Sequence, residues 1–342
     1  MKILSIGIAH HNDFSGAWFT IQDIRKELIF NGRQDLLKKI EFVVVENDTE
    51  SEHAKALKDF CIKNLAKDRS LSYNICRTEG TSVSRNSIIE NANGKFVLVL
   101  DCHVLLCPAL KVIDKLISFI ESNPDDNNIY CGPLVGDDGE SIYTHFTNEW
   151  SGSNLGKWAL AWQCECEDYY FEIDKETEEI KDLVTGERYQ RCPKCDLDYS
   201  EGVYVAVHEK KCIPCGHVET DPFEIGSQGL GCFLVRRESW LGFNEHARGF
   251  GGEEYYIHEK YRKNNRKAMC LPFMRWMHRF DRPDGIEYSL VLEHIVRNYI
   301  LEFIELNLDL SPVYTHFVKE NGFDEIVYNS FVREAKYLYN RE

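Results

Sequence analysis

Three apolar runs, too continuous to leave one face in water, set the terms for the first hundred residues. They are Lys2 to Ala9, Glu41 to Glu46 (EFVVVE) and Phe96 to Leu100, with a shorter run at 72–76. Between them lie stretches of helical periodicity at about Trp18 to Phe30, 52–66 and 82–93. A strand that is apolar on both faces must be covered on both. The alternation therefore predicts an α/β, Rossmann-like, mostly parallel central sheet flanked by helices. In such sheets ligands sit at the carboxyl ends of strands, so the loops at 10–13, 47–49 and 101–103 are the first places to look for chemistry.

Composition narrows the class. A chain of 342 residues holds one large core, or one core and a small module. With 43% hydrophobic and 28% charged residues it reads as globular. The formal charge of −16 excludes a uniformly basic nucleic-acid binder, while leaving room for a local basic patch. No apolar run reaches membrane-spanning length, and Met1-Lys2 leads directly into a strand. The expectation is a cytoplasmic protein with no membrane partner. Thirteen cysteines in that compartment read as metal ligands and buried thiols.

Chemistry-bearing residues recur in a fixed order. Asp101-Cys102-His103 closes the Phe96–Leu100 run. Gly229 to Arg237 is a strand that begins with small residues and ends in arginine. Gly249-Phe250-Gly251-Gly252 leads into Glu253-Glu254, a bare, tight loop that opens a helix and holds the acids at its positive end. A basic run follows, then Leu271-Pro272, then His278-Arg279. This order resembles the nucleotide-sugar glycosyltransferases of GT-A fold, in particular the polypeptide N-acetylgalactosaminyltransferases and the inverting family 2 enzymes. The resemblance covers roughly 1–135 and 224–282.

The resemblance implies a divalent cation, Mn²⁺ or Mg²⁺, held by Asp101, His103 and His278. It implies a nucleotide diphosphate sugar, by family default a UDP-sugar, bound through Asp48, Arg85, Asp101, Gly251 and Gly252. Glu254 takes the position of the catalytic base of the G-G-E-D enzymes, with Glu253 holding the acceptor or orienting Glu254. The retaining polypeptide transferases have asparagine there, and tryptophan where this chain has Phe250, so the expectation leans to inversion. The alternative for Asp101 and His103 is an acid and a histidine capping the helix that begins near Pro108, and for Asn47-Asp48-Thr49 a turn and helix cap.

The match breaks off from Gly136 to about Phe223. There, Cys192, Cys195, Cys212 and Cys215 form C-x2-C-x16-C-x2-C, the spacing of a zinc ribbon, with structural Zn²⁺ supplying the folding energy. Cys164 and Cys166 replace one knuckle, share a second site with His208 or His217, or stay free. The expected units are a nucleotide-sugar-binding half at 1–136, a zinc-binding insertion at 137–223, an acceptor half at 224–285 and a helical region at 286–342, beginning with an amphipathic helix from Glu287 to Leu306. Trp150, Trp158 and Trp162 precede the cysteine pairs and read as sugar-stacking or core residues.

Lys260, Arg262, Lys263, Arg266 and Lys267, joined by Arg275, Arg279 and Arg282, form a local basic excess. A patch of this kind engages phosphates, which makes a hydroxymethylated base in DNA, as in viral DNA modification, one candidate acceptor. A protein or glycan acceptor is the alternative. Two further readings compete: a nucleotidyltransferase, which lacks a need for the G-G-E-E loop and His278, and a catalytically inactive zinc-bearing binding protein.

Overall fold

The first apolar run forms β1 (Leu4–His10), and its neighbours on either side come from later in the chain. The computed structural model describes residues 2–47, 50–65, 70–78, 80–107, 110–136, 142–159, 221–279 and 290–340, with the backbone alone of 171–173, 180–182 and 188–189. From β1 the chain passes through α1 (Phe14–Phe30) to β2 (Ile40–Glu46), then α2 (Glu52–Leu65) to β3 (Leu71–Ile75). It returns through α3 (Thr81–Asn91) to β4 (Phe96–Asp101), on the other side of β1. All three pairings are parallel, with Leu4 opposite Ile40 and Phe96. This reversal of direction opens a crevice at the carboxyl ends of β1 and β4, where His10–Asp13 and Asp101–His103 lie. The helix α1 starts four residues before the periodicity suggests, because Asp13 caps it by accepting from the Gly16 N–H at 3.0 Å.

The second half of the sheet is mixed. After β5 (Val104–Leu106) and α4 (Val112–Ser122) come β6 (Ile129–Cys131), β7 (Leu134–Val135) and β8 (Ile142–Tyr143). A hairpin follows, β9 (His145–Ser151) and β10 (Asn154–Ala159), and then three short strands, β11 (Phe171–Ile173), β12 (Ile180–Asp182) and β13 (Arg188–Tyr189). Next are β14 (Phe223–Glu224), β15 (Cys232–Arg236), α5 (Glu253–Lys263), β16 (Ala268–Cys270) and β17 (Trp276–His278). The eight-stranded order is β14-β16-β6-β15-β4-β1-β2-β3. The strand β15 runs antiparallel to both β4 and β6. Apolar runs cannot reveal this, because a strand reached without a crossover helix looks the same in sequence as one reached through it.

A smaller sheet, β5-β17-β7-β8, lies at the edge of the crevice. The chain ends in α6 (Leu292–Glu305), α7 (Ser311–Tyr314) with a π-helical turn at Thr315–Glu320, and α8 (Glu325–Leu338). These helices share a core with the β9–β10 hairpin. Trp150 stacks on His316 at 4.1 Å and meets Tyr299 and Phe317 edge-on. Trp158 packs on Phe146 and Tyr143. Both tryptophans are thus packing residues here, and Trp162 lies outside the described residues. No helix among the described residues is long and apolar enough to cross a membrane.

Candidate active site

The chain turns sharply after β4, and β17 returns antiparallel to β5 directly beyond that turn. His278 is registered opposite Val104, and the Arg279 N–H donates to the His103 carbonyl at 3.2 Å. This ladder brings the two imidazoles together: His103 Nε2 and His278 Nε2 are 2.9 Å apart, with the rings edge to face. Asp101 completes a cluster whose ligand atoms all lie within 4.8 Å of one another. Two imidazole nitrogens and a carboxylate oxygen fit Mn²⁺ well and Mg²⁺ less well, since Mg²⁺ favours oxygen. Burial works against ionisation of Asp101, but the Arg85 guanidinium, with His103 and His278, outweighs it and holds the carboxyl below its ordinary range.

Asp13 stands behind this cluster, and motif reading passed over it. Its carboxylate accepts from Arg279 at 2.7 Å and lies 3.7 Å from His103 Nδ1. Burial pushes its pKa up, yet His103, the Gly16 N–H and Arg279 together hold it well below the usual carboxylate range. Asp13, Cys102 and His103 also cluster closely enough to hold an ion, but the Arg279 guanidinium already sits on Asp13. The loop is pinned from below by His10. Its Nδ1 donates to Glu46, which lies opposite on the neighbouring strand at 2.8–2.9 Å, and its Nε2 accepts from the Asp13 N–H at 3.1 Å. The sequence signal for Asp13 was its place three residues before Gly16 at a helix start.

Asp48, the expected nucleoside contact, lies outside the described residues, but its neighbour Asn47 shapes the same edge. Asn47 Nδ2 donates to the carbonyls of Cys76 and Thr78, and its Oδ1 accepts from the Gly80 N–H. The helix α3 begins there. Arg85, one turn in, is buried and divides its guanidinium between Asp101 at 3.0 Å and Glu253 at 3.1 Å. It ties the strand carrying the first metal-ligand candidate to the helix carrying the acids. Its neighbour Asn86 accepts from Trp240 Nε1 and the Phe243 N–H, so it faces the far side of the helix.

The two acids at the start of α5 differ in surroundings. Glu253 is buried and accepts from Arg85, from the Thr81 hydroxyl at 2.5 Å and from the Gly251 N–H at 2.8 Å. Glu254 is partly exposed. Burial and the adjacent Glu253 charge push its pKa up, with Arg85 opposing, to about 8. A carboxyl poised in this way has the proton affinity suited to a general base near neutral pH. Gly251 and Gly252 hold φ of 102° and 98°. A side chain at Gly252 would be strained, and its Cβ would meet the Glu302 carboxyl at 2.4 Å.

The basic run is less open than its sequence suggests. Lys260 pairs with Glu305, Arg262 with Glu259 and Lys267 with Glu224, while Arg266 donates to the Ser239 carbonyl. Arg275 is buried, Arg279 is held by Asp13, and Lys263 is exposed at the end of α5. Arg282 and the six cysteines of the zinc expectation, Cys164, Cys166, Cys192, Cys195, Cys212 and Cys215, lie outside the described residues.

The chain aligns with known proteins. The family model of glycosyl transferase family 2 matches residues 5–174. Among solved structures, GalNAc-T7 with UDP, GalNAc and Mn²⁺ aligns over 98% of this chain at a TM-score of 0.54 and 16% identity, and the chain spans 57% of that protein's length. S. aureus TarS 1–349 with UDP-GlcNAc aligns over 99% of this chain and 80% of its own (TM-score 0.48, 13% identity). The mannosyltransferase PcManGT from Pyrobaculum calidifontis, with GDP-Man and Mn²⁺, aligns over 98% and 73% (TM-score 0.46, 10% identity). No curated protein matches the sequence. Sheet order and structural likeness converge on the fold: the chain has the GT-A fold of the nucleotide-sugar glycosyltransferases, and its residues 5–174 match the model of glycosyl transferase family 2.

Proposed function

We propose that this protein is a metal-dependent glycosyltransferase that moves a sugar from a nucleotide diphosphate donor, a UDP-sugar by preference, to a hydroxyl acceptor with inversion. The observation that carries this reading is the convergence of Asp101, His103 and His278 at the crevice, beside an α5 that begins with Glu254. Bound there, Mn²⁺ supplies electrostatic stabilisation of the diphosphate as charge grows on it. Glu254 accepts the proton of the acceptor hydroxyl while that oxygen forms its bond to the anomeric carbon. The bond from that carbon to the diphosphate breaks with its electron pair leaving on oxygen. Asp48 and the backbone at Gly251 and Gly252 contact the donor, and Arg85 keeps Asp101 and Glu253 in register. A base of this kind contributes about 10²–10⁴-fold.

The same reading places the donor half at 1–136, a zinc-bearing insertion at 137–223, the acceptor half at 224–285 and a helical region at 286–342, in a cytoplasmic protein. The test is a panel of nucleotide sugars with Mn²⁺, with and without chelator, against peptide, oligosaccharide and hydroxymethylated duplex DNA acceptors at low and high salt. Mn²⁺-dependent release of nucleotide diphosphate with a glycosylated acceptor supports the reading. The internal partners of the basic run weigh towards a peptide or glycan acceptor, so transfer to DNA that is lost at high salt would reverse that preference. Absence of donor turnover across the panel would leave the inactive binding protein as the better description.

A further inference from the structure

The helix α6 lies beyond the family match and carries none of the motifs above, yet it forms the back wall of the glycine loop. Along one face, His294 lies against Gly249, Ile295 against Gly251 and Glu302 against Gly252, while Glu305 bonds Tyr256 and Lys260. Asn298, at the centre of that face, bonds the loop backbone itself. It is buried, with 2% of its surface exposed. Its Oδ1 accepts from the Arg248 N–H at 2.9 Å, and its Nδ2 donates to the carbonyls of Arg248 at 2.8 Å and Gly251 at 3.0 Å. The side-chain amide thus satisfies both backbone groups of Arg248, as a neighbouring strand would. The amide's orientation follows from the Arg248 N–H, for which only Oδ1 is an acceptor.

The loop needs such a partner. Gly249, Gly251 and Gly252 all hold positive φ, which keeps this stretch out of regular helix or strand. Three glycines in four residues also carry the largest backbone entropy to be lost on ordering. We propose that Asn298 is a positioning residue for the transfer step, clamping Arg248 and Gly251 so that the start of α5, and Glu254 with it, stands at a fixed place relative to Asp101. This rests on the reading of Glu254 as the base. The helix is itself well anchored: Arg297 pairs with Glu334 of α8 at 2.7 Å, and the Tyr299 hydroxyl accepts from the Leu155 N–H at 2.7 Å.

The experiment compares Asn298→Ala and Asn298→Asp with the wild type in the full chain. The aspartate preserves shape but sets carboxylate oxygen against two carbonyls, so it should be at least as damaging as alanine. A displacement of about 1 Å costs on the order of 100-fold in rate, so both variants should lose roughly 10- to 100-fold in kcat, with donor KM rising by a smaller factor because Gly251 also faces the donor. Hydrogen exchange at the amides of Gly249 to Tyr255 should accelerate in both, while exchange in β1 and β4 stays unchanged. Wild-type kcat, unchanged loop exchange, or a parallel collapse of kcat, donor affinity and thermal stability would each overturn the proposal. The exchange measurement does not depend on activity. Faster loop exchange beside full turnover by Glu254→Gln would keep the clamp and reassign the base.

Discussion

His103 and His278 face each other through their Nε2 atoms at 2.9 Å. Two imidazoles in that arrangement share one proton or share an ion. With Asp101 beside them, a divalent cation satisfies all three groups at once. Asp101→Ala and His278→Ala should each reduce transfer at least about 100-fold, since a metal at a leaving diphosphate is worth several kcal/mol. Melting temperatures close to wild type would show that the fold survives. Full turnover in excess chelator would rule out the metal-dependent reading.

The pH profile of kcat/KM tests Glu254. Its carboxyl is raised to about 8, so the base form is present above that value and is lost as pH falls through it. Activity should therefore fall on the acid side, with a limb far above the ordinary carboxylate range. The charged groups setting the limb are Glu253, Arg85 and Asp101, and a cation bound at Asp101 would draw the limb to lower pH. Glu254→Gln should keep donor binding and lose about 10²–10⁴-fold in kcat. A variant with near-normal turnover would exclude Glu254 as the base.

Arg85 makes a structural prediction that needs no substrate. It is buried between two carboxylates, so Arg85→Met removes the cation that Asp101 and Glu253 share, leaving Glu253 only the Thr81 hydroxyl and the Gly251 N–H. Breaking a buried ion pair from one side costs about 3–5 kcal/mol, which denaturant unfolding would detect directly. Arg85→Lys keeps the charge but cannot reach both carboxylates with a planar fork, so it should recover only part of that loss.

Glu302 predicts the opposite sign. It is buried against Gly252, and among the described residues neither carboxyl oxygen has a hydrogen-bond partner. Burial, together with Glu253, Glu254 and Glu305, raises its pKa well above the ordinary value, with Lys260 opposing. A carboxyl raised in the folded state costs stability once the pH exceeds its unfolded value, because only the unfolded chain then releases the proton freely. Glu302→Gln should therefore match the wild type at acid pH and become progressively more stable as pH rises above about 4.5. Melting curves at several pH values would show it, and a difference that shrinks with rising pH would contradict the assignment.

The zinc expectation is settled by elemental analysis of protein purified without added metal. About one zinc per chain should be found, or two if Cys164 and Cys166 build a second site. A disulfide between the knuckles would refute it.

Much of the first hundred residues was legible because the strands there are buried on both faces and the loops of interest follow strand ends. The strand end drew the eye to Asp101 and His103, but a D-x-H triplet is weak alone, and all three ligand candidates, His278 included, needed the ordered motif and the resemblance. Asn298, Glu302 and Asp13 were not legible. An amphipathic helix announces that one face is buried, but not that the face meets a glycine loop 47 residues upstream, as Asn298 meets Gly251. Asp13 lay outside the stretch of helical periodicity, and its contacts with His103 and Arg279 exist only once β17 has paired with β5. The antiparallel course of β15 was hidden for the same reason, since strand direction depends on the connection and apolar pattern does not encode it.

The register of β17 on β5 has a consequence for how the protein is made. The ligand candidates Asp101 and His103 emerge from the ribosome early, whereas His278 follows His103 by 175 positions. A nascent chain holding only the first half thus presents two ligands and no third. With the proposed metal site, tight uptake would wait until β17 has docked on β5, so binding of Mn²⁺ would report closure of the smaller sheet.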